Sequence, residues 1–243
     1  MDKVEYLVRL IEEKNRIFVL TGAGVSTESG IPDFRGEKGL YTEYPEYVFD
    51  IDYFRKDPSL FYEVTKKLLP QLLDAEPNPA HRLVYKLEEM GKLLLVATQN
   101  IDGLHQKAGN KKVVELHGSY KTSHCLKCGK EFSFEDLVTE LENVTVPKCE
   151  CGGVIKPDVV FFGEPLPQDA LIKAQEAAKK ATLCIVMGSS LVVYPAAYLP
   201  LICVQEKVPL VIINKRETAL DSFASLKIEK RLSKFCESVL KLL

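Results

Sequence analysis

Five short apolar runs, Ile17–Thr21, Leu93–Thr98, Val113–Leu116, Leu183–Met187 and Leu210–Ile213, alternate along the chain with segments of helical character. Apart from Glu115 and the closing threonines, each run is apolar at successive positions rather than at every second residue. It therefore reads as a strand buried on both faces, the pattern of a parallel sheet covered by helices. The helices between them are equally legible. Val4, Leu7, Val8 and Ile11 form one stripe over Val4–Lys14. Asp57-Pro58 and Asn78-Pro79 each place a capping side chain before a first-turn proline, and Gly91 offers the second helix a stop. Asp169–Lys180 is rich in the helix formers alanine and lysine. The expected fold class is α/β, a Rossmann-like doubly wound parallel sheet.

Two stretches break the alternation. From about residue 36 to 73 a loop rich in tyrosine and proline leads into a helix. From about 120 to 157 the sequence is polar, carries four of the seven cysteines and has little room for a core of its own. The expected division is a Rossmann-like domain of residues 1–35, 74–119 and 158–243. A smaller domain joins the helical insertion 36–73 to the cysteine module 120–157.

Composition excludes several classes. A net charge of −2 gives no electrostatic case for nucleic acid or an anionic membrane surface. No apolar run approaches the roughly 20 residues that span a bilayer. Met1-Asp2-Lys3-Val4-Glu5 lacks the layout of a signal peptide, so a cytoplasmic protein is expected. An odd, uneven set of cysteines argues against a secreted disulfide framework, and Cys184, Cys203 and Cys236 read as small core residues.

Four stretches carry chemistry. Thr21-Gly22-Ala23-Gly24-Val25-Ser26-Thr27 follows the first strand, where glycines let the backbone approach a phosphate and a following helix would offer free N–H groups. Thr27 stands where a dinucleotide fingerprint has its third glycine, and no acidic residue follows about twenty positions on after a second strand, which speaks against an ordinary nicotinamide dehydrogenase. Ser29-Gly30-Ile31-Pro32-Asp33-Phe34-Arg35-Gly36 is a loop, placed to cover a nucleotide or simply to lie on the surface. Gln99-Asn100-Ile101-Asp102 and Glu115-Leu116-His117-Gly118 sit at the carboxyl ends of strands, where open α/β sheets bind ligands. That position sets His117 apart from His81, His105 and His124 as a candidate general base.

Cys125-Leu126-Lys127-Cys128 and Cys149-Glu150-Cys151 are two close pairs about twenty residues apart, the spacing of a structural zinc site. Four thiolates leave no open position for a catalytic water, and the Cys-x-Cys spacer is tighter than usual. Gly188-Ser189-Ser190 and Asn214 also end strands and offer small or polar contacts. Val159-Val160-Phe161-Phe162 reads either as a core strand or as an edge that pairs with an extended peptide.

In this order the segments resemble the sirtuins: Gly22–Ser26 with Ser29–Arg35, then Gln99–Asp102, Leu116-His117-Gly118, the four cysteines, Phe162-Gly163-Glu164 and Gly188-Ser189-Ser190. The resemblance spans roughly residues 17 to 214. It implies an NAD-consuming protein lysine deacetylase whose partners are NAD and acetyl-lysine proteins or peptides, with no nucleic acid and no membrane. The acyl oxygen would attack the nicotinamide ribose, giving nicotinamide and an alkylimidate. His117 would then deprotonate a ribose hydroxyl, and O-acetyl-ADP-ribose and free lysine would leave. By the same resemblance His117 and Asn100 are catalytic. Gly22, Ala23, Gly24, Thr27, Asp33, Phe34, Arg35, Gln99, Asn100, Ile101, Asp102, His117, Gly188, Ser189, Ser190 and Asn214 contact NAD. Cys125, Cys128, Cys149 and Cys151 hold structural zinc. Val160, Phe162, Gly163 and Glu164 on one side, and Val192 and Val193 on the other, bind the peptide.

Sirtuins that favour succinyl or malonyl lysine carry a Tyr-x-x-Arg pair. Here Tyr62-Glu63-Val64-Thr65 has no arginine, which favours acetyl and other neutral acyl groups. Transfer of ADP-ribose to protein from the same pocket is an alternative activity. A non-catalytic ADP-ribose or peptide reader is a third, weakened by the intact set of Asn100, Asp102 and His117.

Overall fold

The computed structural model describes residues 2–243. Its strands are β1 (Ile17–Thr21), β2 (Leu93–Thr98), β3 (Val113–Glu115), β4 (Gly118–Cys125), β5 (Glu131–Ser133), β6 (Ile155–Val159), β7 (Leu183–Met187), β8 (Leu210–Ile213) and β9 (Leu226–Ile228). Six form one sheet in the order β3-β2-β1-β7-β8-β9, with every pairing parallel. This is the doubly wound arrangement expected from the apolar runs, with the crossing point beside β1. β9, three residues in a polar context, is an added edge that its composition does not reveal.

The helices are α1 (Lys3–Glu13), α2 (Ile51–Lys56), α3 (Ser59–Asp74), α4 (Pro79–Glu89), α5 (Leu104–Lys107), α6 (Phe134–Asn143), α7 (Gln168–Lys180), α8 (Tyr198–Gln205) and α9 (Leu232–Leu240). Asn78 caps α4 by accepting from the Ala80 amide, and Gly91 closes it at φ +70°. β1 shows why its run is apolar at every position. Ile17 and Val19 pack with Leu7, Ile11, Leu83 and Phe235 on one face; Phe18 and Leu20 pack with Ala174, Ala178 and Leu199 on the other.

β4, β5 and β6 form a second, antiparallel sheet in the order β5-β4-β6. The cysteine segment has no separate core. Leu137, Leu141, Ile155, Cys125 and Cys149 are buried in one cluster with Val48, Ile51, Phe54, Phe61 and Tyr62 of the helical insertion. Two expectations are corrected. The Gly22–Gly24 turn is followed not by a helix but by two 3-10 turns, Ala23–Val25 and Thr27–Ser29. Gly30 at φ +93° and Pro32 stop the chain from winding further, so the dipole of a long helix is missing there. Val159–Phe162 is not a core strand of the large sheet. β6 ends at Val159 against β4, and Phe162 bridges Asp50 instead.

Candidate active site and cysteine cluster

The site lies along the carboxyl ends of β1, β2, β3, β7 and β8. Its floor is a contact between two glycine turns. The Gly24 amide donates to the Gly188 carbonyl at 2.9 Å, and the Gly22 amide to Met187 at 3.1 Å. A Cβ on Gly22 or Gly24 would lie 2.8 Å from the Gly188 oxygen, and one on Gly188 would fall on the Val25 amide nitrogen. Gly188 also sits at φ +63°, so close packing and backbone conformation both require glycine.

From this floor the side chains rise as a connected set. The Gln99 amide group donates to Ser189 Oγ at 2.9 Å, joining the ends of β2 and β7. Asn100 Nδ2 donates to Ser26 Oγ at 3.0 Å and to Asp102 Oδ2 at 3.2 Å, and Ser26 donates to the same carboxylate oxygen at 2.6 Å. Ser26 and Asn100 are both buried. His117 Nδ1 stands 2.9 Å from the Gln99 carbonyl. Burial lowers the His117 pKa and the Gln99 carbonyl partly offsets this, so the ring is neutral near pH 7. A carbonyl only accepts, so the proton sits on Nδ1 and Nε2 keeps its lone pair.

Further residues line or border the cleft. Thr27, Gly24 and Asp33 line a cavity of about 680 Å³ together with Asn214, Lys215 and Arg216. Asp33 holds the loop by accepting from the Gly36 amide at 2.7 Å. Phe34 packs between Tyr41 and Phe49, with both centroid distances 5.5 Å. Arg35 lies over the Tyr41 ring, and its carbonyl accepts from Arg216 at 2.6 Å. Asn214 turns its amide onto its own loop at Arg216. Ala23, Ile101 and Ser190 are half-buried beside these turns.

Val160 is brought to His117: its amide donates to the His117 carbonyl at 2.8 Å. Phe162 is tied into the insertion, its amide to Phe49 and its carbonyl from Ile51, so only its half-exposed ring is free. Val192 is exposed, and among the described residues no hydrogen bond joins Val192–Val193 to Val160–Glu164.

Residues 22–195 match the Sir2 family, from the first glycine turn to the loop beyond β7. The chain belongs to the Sir2 family. It is 49% identical over 240 residues to an NAD-dependent protein deacetylase of Thermotoga maritima, with 98% of each chain covered. It is 45% identical to NAD-dependent protein deacetylase 1 of Pyrobaculum aerophilum, covering 95% of this chain and 91% of that one. A solved Sir2 histidine variant with a deacetylated p53 peptide and 3'-O-acetyl ADP-ribose superposes with a TM-score of 0.95. It is 48% identical and covers 99% of this chain and 98% of its own. A Sir2 complex with a p53 peptide and NAD+ gives 0.91 at 48% identity, over 100% and 98% of the two chains.

In this Sir2-family chain the four cysteine sulfurs of the small sheet lie within 4.8 Å of one another. Cys125 and Cys151 are 3.5 Å apart, and Cys128 and Cys149 3.7 Å. Zinc bonded tetrahedrally to sulfur at about 2.3 Å needs sulfurs about 3.8 Å apart, so the donor set fits that ion. The tight second pair is possible because Gly152 turns at φ +80°, its amide donating to the Cys149 carbonyl at 2.7 Å. A Cβ on Gly153 would sit 2.6 Å from the Cys125 sulfur. His124 does not join the quartet; its ring nitrogens face Asp158 at 2.8 Å and Glu131 at 3.4 Å.

Sequence reasoning passed over the support beneath Asp102. The Asn78 amide donates to His81 Nδ1 at 3.3 Å, which leaves His81 Nε2–H to donate to Ser26 Oγ at 3.4 Å. His105 stacks edge-on against His81 and contacts Thr21 Oγ1 at 3.0 Å. The available signal was the Asn78–His81 spacing at the start of α4, where a side chain three residues after the cap points back at it.

Proposed function

We propose that this Sir2-family chain is an NAD-dependent protein lysine deacetylase that transfers the acyl group to ADP-ribose and releases nicotinamide and O-acetyl-ADP-ribose. One observation carries the reading: a neutral histidine, His117, held by Gln99 at a strand end with its Nε2 free, one hydrogen bond from Val160. NAD, when bound, supplies the electrophilic ribose carbon and carries the acyl group away. The chain supplies the rest. The glycine floor of Gly22, Gly24 and Gly188, with Ala23, Thr27, Ser189, Ser190 and Asn214, cradles the ADP half without side chains in the way. Phe34 and Arg35, with Asp33 shaping their loop, cover the cleft and keep water from the reacting carbon.

Gln99 and Asn100 hold the ribose, while Ile101 and Asp102 take the carboxamide, the carboxylate oriented by Ser26. His117 Nε2 then accepts the proton of a ribose hydroxyl. The peptide enters between Val160, Phe162, Gly163 and Glu164 and the Val192–Val193 loop, and the Cys125, Cys128, Cys149 and Cys151 quartet holds zinc structurally. Residues 1–35, 74–119 and 158–243 form the Rossmann-like domain, and 36–73 with 120–157 the small one. Neutral acyl groups are preferred, because Thr65 stands where an acid-binding arginine would be and the Tyr62 hydroxyl is spent on the Ile155 carbonyl. A cytoplasmic location is part of this reading, since an odd, uneven set of seven cysteines does not suit a secreted disulfide framework. No helix among the described residues is long and apolar enough to cross a membrane.

The test is incubation with NAD and an acetyl-lysine peptide, followed by mass spectrometry. Nicotinamide, deacetylated peptide and O-acetyl-ADP-ribose in equal amounts support the reading. ADP-ribose attached to protein without deacetylation, or bound NAD with no turnover, refutes it.

A further inference from the structure

Lys156, on β6, is only 7% exposed, and no reaction step described above uses it. Its ammonium is fully committed. Nζ lies 2.8 Å from the Val159 carbonyl, 3.2 Å from the Pro157 carbonyl and 2.9 Å from Glu164 Oε2, and 4.3 Å above the centre of the Phe161 ring. Three donors meet three acceptors, which exhausts an ammonium. The same Glu164 oxygen accepts from the Phe161 amide at 2.9 Å, and the Glu164 amide donates back to the Phe161 carbonyl at 3.0 Å.

A buried lysine–glutamate pair adds little stability over an apolar pair of similar volume, because desolvation offsets the attraction. What it fixes is direction. Val160–Glu164 has no regular secondary structure to hold it. The carboxylate of the pair takes the Phe161 amide, the Glu164 main-chain amide takes the Phe161 carbonyl, the insertion takes both groups of Phe162, and His117 takes the Val160 amide. Among the described residues, the Val160 carbonyl and the Gly163 amide and carbonyl are then left without a hydrogen-bond partner. These are backbone groups that an extended peptide can pair with.

We propose that Lys156 is a positioning residue for substrate: with Glu164 it holds Val160–Glu164 so that the Val160 and Gly163 backbone groups face the incoming peptide. The proposal rests on the deacetylase reading, in which that segment takes the peptide. It also changes the part played by Glu164, whose carboxylate points inward to Lys156 rather than toward substrate.

The experiment measures acetyl-lysine peptide binding by fluorescence polarisation, and steady-state kinetics, for the full chain and for Lys156→Met, Lys156→Arg and Glu164→Gln. Lys156→Met should weaken peptide binding and raise peptide KM about tenfold or more, with kcat at saturating peptide and the KM for NAD moving less than about threefold. Lys156→Arg should restore the peptide KM to within about threefold, since it keeps the charge and the donors. If Lys156→Met does not fold, Glu164→Gln decides, with an expected peptide KM rise of about threefold or more. Unchanged peptide affinity in a folded variant overturns the proposal, as does a loss of kcat and melting temperature with peptide KM unmoved. A wild-type chain that binds acetylated and unacetylated peptide alike overturns the deacetylase reading, and the proposal with it.

Discussion

His117 Nδ1 lies 2.9 Å from the Gln99 carbonyl oxygen, so the residue that follows β2 sets the tautomer of a histidine just beyond β3. The required species is the neutral ring, and its pKa is lowered by burial. A base with a lowered pKa is fully active above the ordinary histidine range and fails only below it. The acid limb of kcat/KM should therefore have its midpoint below 6.5, the ordinary value. His117→Ala should lose about 10²-fold or more in deacetylation while still binding peptide. A midpoint above 6.5, or full activity in the alanine variant, would remove His117 from the role of base.

Acid stability should follow the two inner histidines. Burial lowers His81 to about 4 and His105 to about 3, both from 6.5. Because the folded values lie below the unfolded one, each contributes stability that is complete above 6.5 and lost as pH falls toward the folded value. The slope is about 1.4 kcal/mol per pH unit for each histidine. Compared with wild type, His81→Gln should melt with a shallower pH dependence between about pH 6 and about pH 4.5. Parallel melting curves for the two proteins would contradict this.

Gly188→Ala should be among the costliest single-methyl changes in the molecule. Its Cβ falls on the Val25 amide and its backbone is at φ +63°. A stability loss above about 2 kcal/mol is expected in urea titrations, together with weakened NAD binding by calorimetry. Gly91→Ala is the control: it shares a positive φ of +70° but meets no atom within 4 Å, so its cost should stay near 1 kcal/mol. Equal costs would show that the contact between the glycine turns is slack.

Cys128→Ser and Cys149→Ser should each abolish stoichiometric zinc, although one cysteine is exposed and the other buried. Thiolate zinc sites contribute on the order of 10 kcal/mol to folding in small domains, so the β4-β5-β6 sheet should open while the six-stranded sheet persists. Limited proteolysis should then cut within residues 120–157 first. Full zinc occupancy with three cysteines, or unchanged protection of that segment, would contradict the assignment.

The sequence by itself determined whatever repeats locally. Continuous apolar runs dictated buried parallel strands, since Ile17 and Val19 of β1 meet one helical layer and Phe18 and Leu20 the other. Two cysteine pairs at close spacing pointed to a four-cysteine cluster, which the fold assembles, and strand-end position set His117 apart from the other histidines. Tertiary structure alone decided what depends on distant partners. That Gly24 must be bare because Gly188 leans on it, that His81 supports Ser26 under Asp102, and that Lys156 is spent on Glu164 are contacts with no local period. The short β9 edge and the 3-10 turns after Gly24 belong to the same class. In each case neighbouring elements settled a segment whose own propensity was indifferent, which is why the strand ends were legible before the fold and the contacts beneath them were not.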